Sequence, residues 1–409
     1  VSRSITGAGG AVPVLMLHSV APSDALAPHR WLQRLATSPE LIEATFDAWR
    51  RRGMRTLRVD ELRSFLTGQA PPPDRAVVLT LDDGYVDNWV ALTPLLQAYG
   101  FNAVVFVSTD FVDPRPIVRP RREPDGRDQT FAWRGYLSWD EMRAAEATGA
   151  LEIQSHAKTH TWYFTSDKVV DYYRPGNALT GPRSRLRFLW LNAHEDRKPF
   201  ALEEMGDASV AWGTPVYEFA PALVARRYFP DPREGHHLVE FVANNGGAAL
   251  FDVPDWRERL DAELGRLRSG SRPAGAFETD DERTVRLRFE LSESRRLLSG
   301  RLGHPVDFLS FPQGGMDDAA ERLALEEGYS LWTMPSRAGS RAARVADGPH
   351  RVYRCGGGYG LFGDARGTRT SLLSQRLVLA RHLGNPLASA VTRAVGLVRR
   401  VSERIGGAR

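Results

Sequence analysis

The chain has 409 residues, 42% hydrophobic and 25% charged, with a formal net charge of +4. That is the composition of a soluble globular protein with ample material for a core, long enough to predict a large α/β domain with insertions or two domains. The bases are almost all arginine, Lys158, Lys168 and Lys198 being the only lysines, and acids are interspersed with them, which argues against a nucleic-acid partner.

A single cysteine, Cys355, excludes an internal disulfide and a cysteine-based metal site. The N-terminal stretch VSRSITGAGGAVPVLMLHSV has no long apolar run, and no segment reaches the roughly 18 apolar residues of a membrane span. The expectation is a cytoplasmic protein.

In chain order, short apolar runs predict strands at 12–17 (VPVLML), 76–81 (AVVLTL), 103–108 (AVVFVS), 151–154 (LEIQ), 306–311 (VDFLSF), 329–333 (YSLWT) and 351–354 (RVYR). Most are nearly continuous rather than alternating, the pattern of strands buried on both faces. Helical spacing falls between them, in 41–53 with Leu41, Ile42, Phe46 and Trp49, in 88–100, and in 138–150. The last opens with Ser138 and Glu141 as a capping box. The alternation predicts an α/β barrel or a doubly wound sheet.

Residues 161–283 break this rhythm. The stretch is rich in Pro, Gly and aromatics and far longer than an ordinary connection, so it reads as an inserted subdomain or lid. The resulting division is a flexible N-terminus at 1–11, a barrel from 12–160 and 284–360, the insertion at 161–283, and a basic tail at 371–409. The tail reads as a pair of amphipathic helices, with Leu387, Val391, Val395 and Val398 on one side and Arg393, Arg399, Arg400 and Arg404 carrying charge. Such a face packs on the main domain or meets an anionic membrane surface.

Chemistry-bearing residues follow three strands. His18 ends the first, the doublet Asp82–Asp83 ends the second within LTLDDGY, and His156 and His160 follow the fourth within SHAKTHTW. In a parallel barrel the strand ends share one face, where catalytic groups gather. Two adjacent carboxylates repel unless a cation or another partner separates their roles. A turn at Asp-Asp-Gly is the structural alternative. Two imidazoles and one carboxylate make a first shell for a divalent metal, with positions open to water and substrate.

TLDDGY, SHAKTH and FPQGG, in that order, resemble the motifs of the polysaccharide deacetylase family (carbohydrate esterase family 4). PVLMLHSV and GYLSWDEMRAAEATGALEIQSH resemble its poly-N-acetylglucosamine deacetylase branch. The similarity covers roughly 12–160 and 285–355. It implies a distorted (β/α) barrel of about seven parallel strands with the insertion added to it. It also implies a metal-dependent hydrolase that removes an acetyl group, N-acetyl foremost, from a sugar, glycan or glycoconjugate precursor by attack of a metal-activated water.

By resemblance, Asp82 is the general base, His18 the general acid, and Asp83, His156 and His160 hold the metal, Zn²⁺ foremost, with Co²⁺, Ni²⁺ or Fe²⁺ also suited. Pro312 and Gln313 shape one wall, the backbone N–H of Gln313 donating to the oxyanion. Trp162 is the expected aromatic wall. The chain departs from the family pattern at Ala157, where a hydroxyl residue is usual, and at Leu309 and Ser310, where an arginine that pairs with the base is usual. Arg354 is the candidate substitute.

The implied partner is an acetylated carbohydrate. A lipid-linked one at the inner membrane face would reconcile glycan chemistry with a cytoplasmic location and the basic tail. Two other readings stay open at this level: an amidohydrolase of a small intracellular amide, and a catalytically inactive carbohydrate-binding module.

Overall fold

A computed structural model describes residues 10–355 apart from 72, 123–129, 177–178, 182–184, 205, 207–209, 271–274, 336–337 and 339–340, together with scattered positions between 373 and 394. Its centre is a nearly closed barrel of parallel strands. In chain order these are β1 (Val14–Leu17), β2 (Ala76–Leu81), β3 (Ala103–Val107) and β4 (Leu151–Ser155). After the insertion, whose hairpin supplies β5 (Trp162–Tyr172) and β6 (Pro215–Pro221), come β7 (Phe308–Leu309), β8 (Leu331–Thr333) and β9 (Arg351–Val352). The barrel order is β1-β2-β3-β4-β7-β8-β9. Just past β9 the ring closes: Cys355 N–H donates to Val14 O at 2.6 Å and Met16 N–H to Cys355 O at 3.3 Å.

The apolar runs are continuous because both faces of each strand are covered. Val77, Leu79, Leu81, Val105, Val107 and Ile153 pack outward beneath helices, in one cluster with Ile42, Phe46 and Trp49. Their alternate neighbours Val78, Val104 and Phe106 meet Val14, Phe308, Leu331 and Val352 in a second cluster filling the barrel. That split is what parallel strands require.

Helix α1 (Pro39–Arg50) starts at Ser38, whose side chain accepts from Leu41 N–H, with Pro39 in the first turn where its missing N–H is harmless. Helix α2 (Val59–Leu66) adds Leu62, Phe65 and Leu66 to the barrel-filling cluster. The pattern at 88–100 divides into a π-helical turn at Asn88–Leu92 and α3 (Thr93–Tyr99), which Gly100 ends in the left-handed region. Helix α4 (Trp139–Ala147) has the Ser138–Glu141 capping box.

Within the insertion β5 and β6 pair antiparallel, and the chain adds α5 (Leu186–Asn192), α6 (Pro232–Asn244) and α7 (Trp256–Gly270). Part of it has its own core, where Tyr172 meets Leu238, Val242, Leu260 and Leu264. The rest shares a core with the barrel: Trp162, Phe188 and Trp190 join Trp31, Tyr85, Phe111 and Tyr136. The chain re-enters the barrel through α8 (Asp280–Leu302), capped by Thr279 and Glu282, followed by α9 (Asp318–Glu326). Helix α8 therefore runs continuously through the predicted boundary at 283/284.

In the tail, residues 386–392 are helical. Leu387 and Val391 are exposed there, whereas Ala388 and Thr392 are buried. Val395, Val398, Arg393, Arg399, Arg400 and Arg404 lie outside the described residues. Among the described residues no helix is long and apolar enough to cross a membrane.

Candidate active site

The strand ends bring His18, Asp82, Asp83, His156 and His160 to one cavity of about 300 Å³, which Gln313 and Arg354 also line. The backbone there is unusual. Among the described residues, Asp83 (φ 77°), Ala157 (56°), His160 (44°) and Gln313 (57°) have left-handed backbone, Arg75 being the other non-glycine case. Such a residue costs roughly 1–2 kcal/mol and persists where its surroundings impose it. Gly84 is also left-handed, at φ 68°, and a Cβ there would sit 3.0 Å from a Val107 methyl. The Asp-Asp-Gly turn is thus real, and it also aims its carboxylates.

The two aspartates have different partners. Asp83 Oδ2 accepts from the Tyr85 hydroxyl at 2.7 Å. Its Oδ1 lies 3.4 Å from His156 Nε2 and 3.1 Å from His160 Nε2. His156 Nδ1 is 2.6 Å from Ser310 O, so that nitrogen carries a proton and the ring is held with Nε2 facing the site. One donor atom from each of the three side chains falls within 4.8 Å of the others. A nitrogen, nitrogen, oxygen donor set this close, with one imidazole ring already held in orientation, fits a divalent transition metal. Burial opposes the ionised form of Asp83, but His160 and His156 hold its carboxyl well below the usual range.

Asp82 faces a guanidinium instead. Arg354 Nη1 donates to Oδ1 at 2.6 Å and Nη2 to Oδ2 at 2.8 Å, a two-pronged pair of the strongest common type. Asp82 is 4% exposed. Burial pushes its carboxyl upward, yet Arg354, His156 and His18 outweigh this and hold it below the ordinary value. Arg354 reaches this carboxylate from just beyond β9, whereas Leu309 and Ser310, at the end of β7, offer no guanidinium.

Behind His18 lies a carboxylate that sequence reading passed over. Asp87 is fully buried. It accepts from Ser19 Oγ, from Val20 N–H at 2.9 Å and from Asn88 Nδ2 at 2.8 Å. Asn88 Nδ2 also donates to His18 O at 3.1 Å, so this cluster holds the turn that carries His18.

Burial raises the Asp87 carboxyl from 3.8 to about 6, its three donors only partly opposing. A folded value above the unfolded one means that its stabilising contribution is complete below about pH 4 and is lost as pH rises through 6. Asp87→Asn keeps the shape and can donate to Ser19 Oγ while accepting from Val20 and Asn88. The variant is expected to lose the decline in stability between about pH 4 and 6, and to be at least as stable as the parent at pH 7. Urea unfolding at several pH values checks this; an unchanged pH slope would refute it.

Two sequence expectations are corrected by packing. Trp162 lines neither this cavity nor its neighbour; it is buried against Phe219, ring centroids 5.5 Å apart, because β5 carries it into the core shared with the insertion. Pro312 is buried between the lining residues Phe311 and Gln313 rather than forming the wall.

The aromatic wall comes from elsewhere. A second, water-sized chamber of about 10 Å³ reaches Asp83 and His160 and is lined by Trp31, Tyr85, Phe111, Tyr136 and Phe188. The Phe188 ring packs on His160 with centroids 5.0 Å apart. Arg187 lies 3.7 Å from the Trp31 ring centre and 4.1 Å from that of Phe188. No spacing signal marks Trp31 or Phe188, since they meet only after the insertion folds against the barrel.

Residues 69–174 match the polysaccharide deacetylase family. The chain is 30% identical over 96 residues to the polysaccharide deacetylase-type protein YxkH of Bacillus subtilis, covering 24% of this chain and 31% of that protein. It is 28% identical over 116 residues to the poly-beta-1,6-N-acetyl-D-glucosamine N-deacetylase of Escherichia coli K12, covering 28% of this chain and 16% of that protein. The chain thus spans a third or less of the length of these curated relatives. Among solved structures it is similar to the deacetylase domain of BpsB from Bordetella bronchiseptica, with TM-score 0.48 and 17% identity, covering 87% of this chain and 98% of that one. It is also similar to IcaB from Ammonifex degensii, with TM-score 0.47 and 15% identity, covering 90% and 98%.

Proposed function

We propose that this chain, which carries a polysaccharide deacetylase domain over residues 69–174, hydrolyses the N-acetyl group of an acetylated amino sugar with a divalent metal held by Asp83, His156 and His160. One observation carries the reading. Two adjacent aspartates are separated in role, Asp83 joined to two imidazoles and Asp82 paired with Arg354, and both open on the cavity that His18 lines. Sequential neighbours with opposite partners suit a site that needs an ion and a base side by side.

When bound, the ion supplies Lewis-acid polarisation and water acidification. Zn²⁺ suits the donor set, as do Co²⁺, Ni²⁺ and Fe²⁺. The protein's own residues do the rest. Asp82, kept ionised by Arg354, accepts the proton of the attacking water. The N–H of Gln313, set by its left-handed backbone, donates to the carbonyl oxygen as it gains charge. His18 delivers a proton to the departing amine, which leaves poorly as an anion.

The name of the Escherichia coli relative makes a β-1,6-linked N-acetylglucosamine oligomer the first substrate to test. Purified protein is expected to release acetate from it, to stop on chelation and to recover with Zn²⁺ or Co²⁺. Release that survives complete metal removal would overturn the metal reading. Acetate released only from small soluble amides would overturn the glycan.

A further inference from the structure

The loop from His156 to His160 holds two left-handed residues, Ala157 and His160, and two of the three proposed ligands. Something must hold it in that shape. The side chain of Ala157 is a methyl group and can hydrogen-bond nothing. The bracing comes instead from α8. Glu290, 2% exposed, accepts from Thr159 N–H at 3.0 Å and from Thr159 Oγ1 at 2.5 Å. One turn further on, Ser294, fully buried, donates to Ala157 O at 3.0 Å and meets Ser155 Oγ at 3.0 Å. Ser155 Oγ in turn accepts from Ala157 N–H at 3.2 Å and from the Tyr329 hydroxyl at 2.8 Å.

Positions 290 and 294 lie on one face of a helix, and their partners lie on either side of Lys158. Lys158 pairs with Asp110, which Lys198 of the insertion also reaches at 3.0 Å, and its ammonium lies 5.6 Å from the Phe289 ring centre of α8. Lys198 is fully buried. Two of the chain's three lysines therefore meet Asp110 beside this one loop.

We propose that Glu290 is a positioning residue for the metal-binding loop, acting with Ser294 from α8 to fix the orientation of His156 and His160. The proposal rests on the metal reading above. It makes affinity for the ion depend on the helix that leads out of the insertion, 131 residues from the loop it braces. Outer partners of this kind typically contribute roughly 10–100-fold in metal affinity.

The test is Zn²⁺ binding to metal-free protein by calorimetry, with the visible spectrum of the Co²⁺ form reporting ligand geometry. Glu290→Leu removes both acceptors at similar volume and is expected to bind Zn²⁺ roughly 10–100-fold more weakly, with an altered Co²⁺ spectrum. Glu290→Gln still accepts from Thr159 N–H and should recover most of the affinity and the parental spectrum. If Glu290→Leu does not fold, Thr159→Val removes the hydroxyl half of the contact from the half-buried side and should weaken binding several-fold. Parental affinity and spectrum in Glu290→Leu, or in Thr159→Val should the former not fold, would overturn this proposal alone. A parent that binds neither ion would overturn the metal reading and this proposal with it.

Discussion

His156→Ala is expected to abolish retention of a divalent ion while leaving the chain folded. His156 is 2% exposed, and its ring is held by Ser310 O with Nε2 turned toward Asp83. Deleting it removes one of three converging donors. The remaining Asp83 and His160 make an incomplete shell that water must finish. The loss should exceed the roughly 10–100-fold typical of an outer-shell change. Elemental analysis of parent and variant after incubation with Zn²⁺ gives the answer, with far-UV circular dichroism as the folding control. Near-stoichiometric zinc in the variant would remove this histidine from the metal site. Asp83→Asn is expected to behave like His156→Ala, since it discharges the only carboxylate of the set.

Asp82→Asn should give the complementary result: metal retained and turnover lost. A general base contributes roughly 10²–10⁴-fold, so kcat should fall by that order with zinc content unchanged. The contrast between neighbouring aspartates is the sharpest test of the assigned roles, because a shared structural role would give both variants the same phenotype.

Arg354→Met probes the same base from its other side. Arg354 is the leading opponent of the burial that pushes the Asp82 carboxyl upward. Without it the carboxyl rises toward neutrality, so the acidic limb of kcat/KM is expected to move to higher pH. The sign for stability follows. A folded value below the unfolded one gives stability that is present at neutral pH and lost as pH falls, and Arg354→Met should lessen that acid sensitivity. Lysine should not restore the parental profile, because a point charge cannot make the paired contact. An unshifted acidic limb in Arg354→Met would show that the pair does not set the base.

What the chain states locally was legible from residues alone. Strands buried on both faces read as continuous apolar runs, so β1 to β4 could be placed. Asp82, Asp83 and the two histidines follow strand ends directly, and parallel strands bring such ends to one face. The Asp-Asp-Gly turn likewise follows from glycine's freedom at position 84. Arg354 could be named as the candidate partner of Asp82 only by resemblance, because the contact itself spans 272 residues. The contact of Glu290 with Thr159, across 131 residues, had no motif to announce it. Trp162 had the spacing of a wall residue, yet β5 carries it inward, while Trp31 and Phe188, with no motif at all, line the chamber beside Asp83 and His160. Local sequence sets strand, turn and the order of the aspartates and histidines at the strand ends. Which side chains meet behind them depends on how the barrel closes at Cys355 and how the insertion packs, and pairings so distant in the chain leave no periodic trace in it.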